Sequence, residues 1–392
     1  MKPKSIQFKN KNSPFGGLKG AYSVCIIGGG LAGLVSAIHL AQQGIEVVLF
    51  EKHNYPRHKV CGEYISKEII PYFDKLGIDL FEYKAIDISH LKLSHQNGKY
   101  IEQKLPLGGV GISRYAIDHL LANKAKSEGV EIIHEEVKNT EFSENHFQTK
   151  TKDHNIKSDF VIAAHGKRST LDKTLDRQFI QNKTPWIGIK AHYQSTDFDP
   201  KFVELHNFKG GYCGLSMIEN GHINLCYLAH QNTFKKHDSI EDFNQKVLTQ
   251  NPHLKAFLEK SEPVFKKHLG IAQISFQNKP SVNNHILYAG DAAGLIHPLC
   301  GNGMAMAIHS AKILAEQVVN FYKEENFNRN KLEKTYSSQW YKTFNKRLFY
   351  GKMIQNILLR PKLSSNLIKI VSQSPFALKT IIKQTHGKPL NS

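Results

Sequence analysis

Apolar residues along the chain fall into two kinds of pattern. Short, nearly continuous runs that end in glycine or a charged residue occur at Val24–Ile27, Val47–Phe50, Phe160–Ala164 and Ile286–Tyr288. Runs of that length and β-branched content predict strands buried on both faces. Between the first two, Leu31 to Gln43 keeps a helical period, so Ser23–Lys52 reads as strand, turn, helix, strand. The window Ala21–Ala41 is almost uncharged, but its early glycines, His39 and the immediate continuation into a strand argue for a buried helix of a water-soluble domain rather than a membrane span. The second kind of pattern is alternation. Residues 89–105 alternate around Asn97-Gly98, and 186–195 and 210–230 do so around Glu219-Asn220-Gly221, which predicts antiparallel strands and hairpins. Residues 111–129 return to a helical period, with Ile117, Leu120, Leu121 and Ala125 on one face.

The expected fold class is therefore α/β. A discontinuous Rossmann-like domain takes residues 21–170 and 285–325, with a β-hairpin insertion near 85–105. An antiparallel β-sheet domain takes 171–284, a helical C-terminal region 326–392, and a basic tail 1–20.

The turn between the first strand and helix reads GGGLAG. Gly28 permits the tight turn, Gly30 lets backbone N–H groups approach a pyrophosphate, and Gly33 lets the helix pack on the strand. Leu31 and Ala32 open the helix whose N-terminus faces the phosphates. Glu51, at the tip of the second strand and followed by Lys52, is placed to accept hydrogen bonds from a ribose diol. Strand, turn, helix and acid together make a complete dinucleotide fingerprint.

Composition narrows the setting. The chain has 392 residues, 40% of them hydrophobic, which supports a substantial core. Its cysteines, Cys25, Cys61, Cys213, Cys226 and Cys300, are odd in number and lack metal or disulfide spacing, so no metal site is expected and a reducing cytoplasm fits. Residues 1–20 carry five lysines and no apolar stretch of a secretory signal. The formal net charge is +18. No nucleic-acid motif accompanies it, so no nucleic-acid partner is expected. The excess concentrates in 331–392, where Leu332, Tyr336, Trp340, Phe344 and Leu348 form an apolar stripe and Pro361 and Pro375 divide the remainder. Two readings stand. One is a peripheral contact with an anionic membrane, to which each nearby lysine adds about 1 kcal/mol; the other is a helical cap that closes the core and leaves its basic side in water.

Further motifs carry chemistry. In residues 53–66, Arg57 and Lys59 supply cations near the nucleotide, and Cys61-Gly62 allows close approach of the backbone to a flat ring. Arg114 opens the helix at 111–129, within reach of a phosphate or ribose. The strand at 158–164 runs into His165-Gly166-Lys167-Arg168-Ser169. The strand at 286–288 leads to Gly290-Asp291, then Pro298 and a second glycine-lined helix start at Gly301-Asn302-Gly303-Met304. Such an aspartate can bond the ribityl chain of a flavin, and such a helix start can stabilise negative charge on the reduced ring.

On these motifs the chain resembles the FAD-dependent oxidoreductases of the para-hydroxybenzoate hydroxylase fold group, in the branch that holds geranylgeranyl reductases, flavin-dependent halogenases and single-component hydroxylases. The resemblance spans Ser23–Val319. It implies that Gly28, Gly30, Gly33, Glu51, Arg114 and Asp291 bind FAD, with Pro298–Met304 along the isoalloxazine and NADPH or NADH as reductant. The family's usual acidic residue in the middle motif is His165 here. The halogenase W-x-W-x-I-P signature is absent, because the tryptophans are Trp186 and Trp340. The geranylgeranyl reductases' aromatic F-P motif is matched only loosely by Gly210–Leu215. His192, Tyr212 and His222 are the polar candidates for a substrate cavity.

The leading expectation is a monooxygenase that hydroxylates a lipophilic aromatic, a polyketide or quinone precursor, through a flavin C4a-hydroperoxide. The alternative is reduction of isoprenoid double bonds, as in geranylgeranyl reductases. A further alternative is a membrane-associated flavoprotein without turnover.

Overall fold

The structure is a computed structural model that describes residues 21–277, 279–295, 301–324, 328–358 and 387–391. Among these, two sheets organise the chain. The first has eight strands. Its parallel centre is built from β1 (Ala21–Ile27) and β2 (Val47–Phe50), with α1 (Leu31–Gln42) between them. The continuous apolar runs are buried on both faces, as a parallel sheet requires.

The second sheet has nine strands and is largely antiparallel. Two of them, β3 (Ile86–Ser94) and β4 (Tyr100–Gly111), form the hairpin around Asn97-Gly98. This hairpin is not an insertion within the first domain, as its place in the sequence suggests. β3 pairs in parallel with residues 202–206, so it completes the second sheet. An antiparallel hairpin exposes an edge, and pairing that edge with a distant strand removes it.

The helix α2 (Arg114–Ser127) follows, capped by the Ser113 side chain. It returns the chain to the first sheet, where β5 (Asn155–Ala163) pairs with β1. The second sheet resumes with β6 (Trp186–Gln194), β7 (Phe202–Phe208), β8 (Gly211–Met217) and β9 (Ile223–His230), in the order β6-β9-β8-β7-β3-β4. Then β10 (Ile286–Tyr288) joins the first sheet beside β5, and α3 (Gly303–Lys323) and α4 (Arg329–Leu358) follow.

Register gathers the loops that matter. Ile27 pairs with Phe50 and with Ala163, and Ala163 pairs with Tyr288. Gly28, Glu51, Ala164 and Ala289 therefore leave the sheet along one edge, at the carboxyl ends of its parallel strands, where α/β proteins bind ligands.

The apolar stripe of α4 is spent on this core. Leu332, Tyr336 and Phe344 are fully buried, Trp340 nearly so, and Leu348 packs against them. A β-carbon on Gly294 would lie 2.7 Å from the Trp340 ring, so that glycine admits the indole. For these five residues the stripe thus closes the core. Residues 359–386 and the tail 1–20 lie outside the described residues. No described helix is long and apolar enough to cross a membrane.

Candidate functional site

At the sheet edge, Gly28 adopts φ +108°, and a β-carbon there would lie 2.6 Å from the Ala164 carbonyl. At Gly33 the clash would be with the Gly28 carbonyl. Gly30, the N-cap of α1, is different. A β-carbon there would meet Arg114 alone, with Nη2 at 3.6 Å, so the glycine opens a cradle under a guanidinium. No side chain caps α1 and no acid stands in its first turn, which leaves its N–H groups for an anion. Glu51 accepts from the N–H groups of Gly29 (3.0 Å) and His53 (3.1 Å), and the Tyr55 hydroxyl donates to the Gly29 carbonyl at 2.7 Å.

Arg114 is held by a bidentate pair to Asp118, with Nε and Nη2 each 2.8 Å from a carboxylate oxygen, and Lys59 Nζ reaches the same carboxylate at 2.9 Å. Burial pushes the Asp118 carboxyl up, but Arg114 and Lys59 outweigh it and hold the group below the usual range. Two cations on one buried carboxylate leave net positive charge beside Gly30, which suits a pyrophosphate.

The loop 59–63 runs along the cavity wall and is pinned from behind by the second sheet. Lys190 on β6 donates to the Lys59 carbonyl (3.2 Å), Asn224 on β9 to that of Cys61 (3.2 Å) and Ser216 on β8 to that of Gly62 (3.2 Å). Glu63 ends the loop with φ +53°, a left-handed conformation unusual for glutamate. Its carboxylate takes the Lys190 ammonium, His192 Nε2 at 2.7 Å and the Arg114 backbone N–H at 2.7 Å. Burial raises this carboxyl, yet Lys190 and His192 bring it below the ordinary range.

On the far side, Gly290 (φ +60°) turns toward Asp291. The carbonyl of Asp291 accepts from Lys279 Nζ (3.0 Å) and that of Ala292 from Arg177 Nη1 (3.1 Å). Burial lowers the Lys279 ammonium to about 8. Arg177 also binds Asp172, whose carboxylate meets His165 Nε2 at 3.0 Å and accepts from the Ser169 N–H at 2.8 Å. Burial drops His165 to about 4, so it is neutral near pH 7.

These loops surround one cavity of about 1170 Å³. Its wall includes Gly28, Gly30, Leu31, Ala32, Glu51, Lys52, Arg57, Lys59, Cys61, Gly62, Arg114, Gly290, Asp291, Gly301, Gly303 and Met304, all singled out in the sequence. Cys61 Sγ lies 3.2 Å from Met304 Sδ across the ring-side end. Gly33 packs behind the wall, Asn302 donates to buried Glu68 (3.3 Å), and Pro298 lies outside the described residues. Of the substrate candidates, Tyr212 lines the cavity. His192 does not, being committed to Glu63 behind the loop, and His222 does not, because it ends the Glu219–Gly221 turn. Sequence reasoning missed Asp118, Lys190, Asn224 and Lys279. Lysine at the middle of the apolar strand WIGIKAHYQ was the one visible signal of a buried charge.

An open glycine cradle, a ribose acceptor at the second strand tip, paired cations and a second glycine-lined turn fit FAD in an extended pose. The comparisons agree. The FAD binding domain family matches residues 21–344. Conditioned medium factor receptor 1 of Dictyostelium discoideum is 23% identical over 364 residues, covering 82% of this chain and 68% of that protein. Digeranylgeranylglycerophospholipid reductase of Methanococcus vannielii is 24% identical over 371 residues, covering 91% of each. Among solved structures, the flavin-dependent brominase Bmp2 shares the fold with a TM-score of 0.76 at 18% identity, over 93% of each chain. The family match takes in most of the chain, from the first strand to the middle of α4, and the chain accordingly belongs to the FAD binding domain family, as an FAD-dependent oxidoreductase of the para-hydroxybenzoate hydroxylase fold group.

Proposed function

We propose that the protein reduces carbon–carbon double bonds in a long isoprenoid-type lipid, with reduced nicotinamide as the electron source. The observation that carries this reading is the division of the cavity wall. Among the described residues, every charged or histidine side chain on it comes from the nucleotide side: residues 51–63, Arg114, 135–136, 165–173 and Asp291. The second sheet contributes Leu91, Leu93, Leu105, Val203, Leu205, Leu215 and Leu228, with glycines at 188 and 214, together with the more polar Tyr212, Cys226 and Tyr227. A wall of this kind recognises a hydrocarbon by burial, roughly 25 cal/mol per Å² of apolar surface, and offers no base to a phenol.

Bound here, reduced FAD would supply hydride-transfer chemistry for the double bond, with the balancing proton drawn from solvent. The chain's own part is to hold and to exclude. Gly30, Arg114 and Glu51 would bind the pyrophosphate and ribose, the pinned loop 59–63 would fix the ring plane, and the leucine wall would seat the chain and keep water out. The similarity to a reductase of a prenylated phospholipid supports this assignment over the aromatic hydroxylation favoured on sequence, and of the polar cavity candidates His192 is taken up by Glu63.

Oxygen-dependent chemistry on an aromatic is the second reading, supported by the Tyr212 hydroxyl on the wall and the brominase-like fold. Anaerobic turnover of an unsaturated isoprenoid lipid separates the two.

A further inference from the structure

We propose that a second pocket, formed by α3, α4 and residues 388–391, is a binding site for a phosphate-class anion. It encloses about 500 Å³ and shares no residue with the large cavity. Lys312, Lys342, Arg347, Lys388 and His309 stand on its wall beside Asn391, and among the described residues no acidic side chain does. Two of the four cations are answered from outside: Lys312 by Glu316 at 2.5 Å and Arg347 by Glu68 at 3.0 Å. Lys342 and Lys388 have no ion-pair partner among the described residues, so two unanswered positive charges stand on one concave site. That is the complement of a phosphate-class anion with several acceptor oxygens.

His309 reports the same field. Its Nδ1 is buried without a hydrogen-bond partner, and burial, then Arg347 and Lys312, lower its imidazole to about 3. A neutral ring there adds no charge of its own and can donate one N–H. The volume exceeds that of bare phosphate, so the natural ligand is a phosphate carrying an organic group, either a soluble phosphate ester or a phospholipid headgroup. Glu68 places the pocket next to the cofactor site, because the carboxylate that holds Arg347 also accepts from Asn302 at the start of α3.

The test uses the full-length, FAD-saturated protein and does not depend on the proposed reaction. Inorganic pyrophosphate, titrated by calorimetry, should bind saturably with the flavin absorbance unchanged, and chloride at matched ionic strength should not compete. The double variant Lys342→Gln, Lys388→Gln alters exposed side chains outside the flavin site. It should keep the wild-type melting temperature and bind pyrophosphate at least about tenfold more weakly, as expected for two lost charge-assisted contacts. Vesicles containing phosphatidylglycerol that displace pyrophosphate would identify a headgroup as the ligand. Failure to displace it, with pyrophosphate still bound, would identify a soluble phosphate ester. Binding that chloride abolishes, binding unchanged in the double variant, or no binding of either probe would overturn the proposal.

Discussion

Lys190 on the second sheet and Glu63 on the ring-side loop form an ion pair with both side chains fully buried, although 126 residues lie between them in the chain. The pair joins the two halves of the molecule behind the flavin-facing backbone. Removing Lys190 leaves the Glu63 carboxylate buried with His192 and the Arg114 N–H but without its cation, which costs up to about 3–5 kcal/mol. Lys190→Met should therefore lower the unfolding free energy by about that much, and Lys190→Met with Glu63→Gln should recover most of the loss. Chemical denaturation of the three proteins measures both.

Arg114 sits over Gly30 and is oriented by Asp118. Arg114→Ala should weaken FAD binding about 10- to 100-fold, the value of one charge-assisted contact. Asp118→Asn keeps the cation but frees its orientation, and should cost less. Flavin fluorescence titration of the apoprotein ranks them.

Gly214 lines the leucine wall, and a β-carbon there would find only ordinary contacts, the nearest being Leu205 at 3.6 Å. Gly214→Phe should fill the substrate half of the cavity, raise KM for a long chain about tenfold or more, and leave FAD affinity unchanged. Equal loss of flavin would place the wall in the cofactor site instead.

Acid should destabilise the fold before its carboxylates titrate. Burial lowers His39, bonded to the Tyr72 hydroxyl at 2.7 Å, to about 4, and His165 to the same value. Both are below the unfolded value of about 6.5, so the unfolded chain binds more protons between these limits. The stability is present above about pH 6.5 and is lost as pH falls toward 4, on the order of 1–2 kcal/mol per group by pH 5. Melting temperature against pH should show this slope, and His39→Gln should make it shallower.

The nucleotide half was legible because its chemistry is local. A strand, a glycine turn, a helix and an acid occupy consecutive residues, and their spacing alone implies the ligand. What escaped was whatever depends on register between distant strands. The hairpin at 86–111 was visible from Asn97-Gly98, but its pairing with residues 202–206 was not. The partner of His165, Asp172, lies seven residues on and was not visible in the motif itself. The α4 stripe was read correctly as a helix face, and its period could not say whether protein or lipid covers it; Gly294, which admits Trp340, is on another element. His192 drew attention as a polar residue on an apolar strand, yet its neighbours Lys190 and Glu63 consume it.

The proposed reaction is tested most directly by mass spectrometry of an unsaturated isoprenoid lipid incubated without oxygen with the FAD-loaded protein and a chemical reductant. The account predicts products heavier by about 2 Da per double bond, one hydride and one proton each, with no product when FAD is omitted. An unchanged lipid under these conditions, together with an oxygen-dependent gain of one oxygen atom on an aromatic substrate, would contradict it.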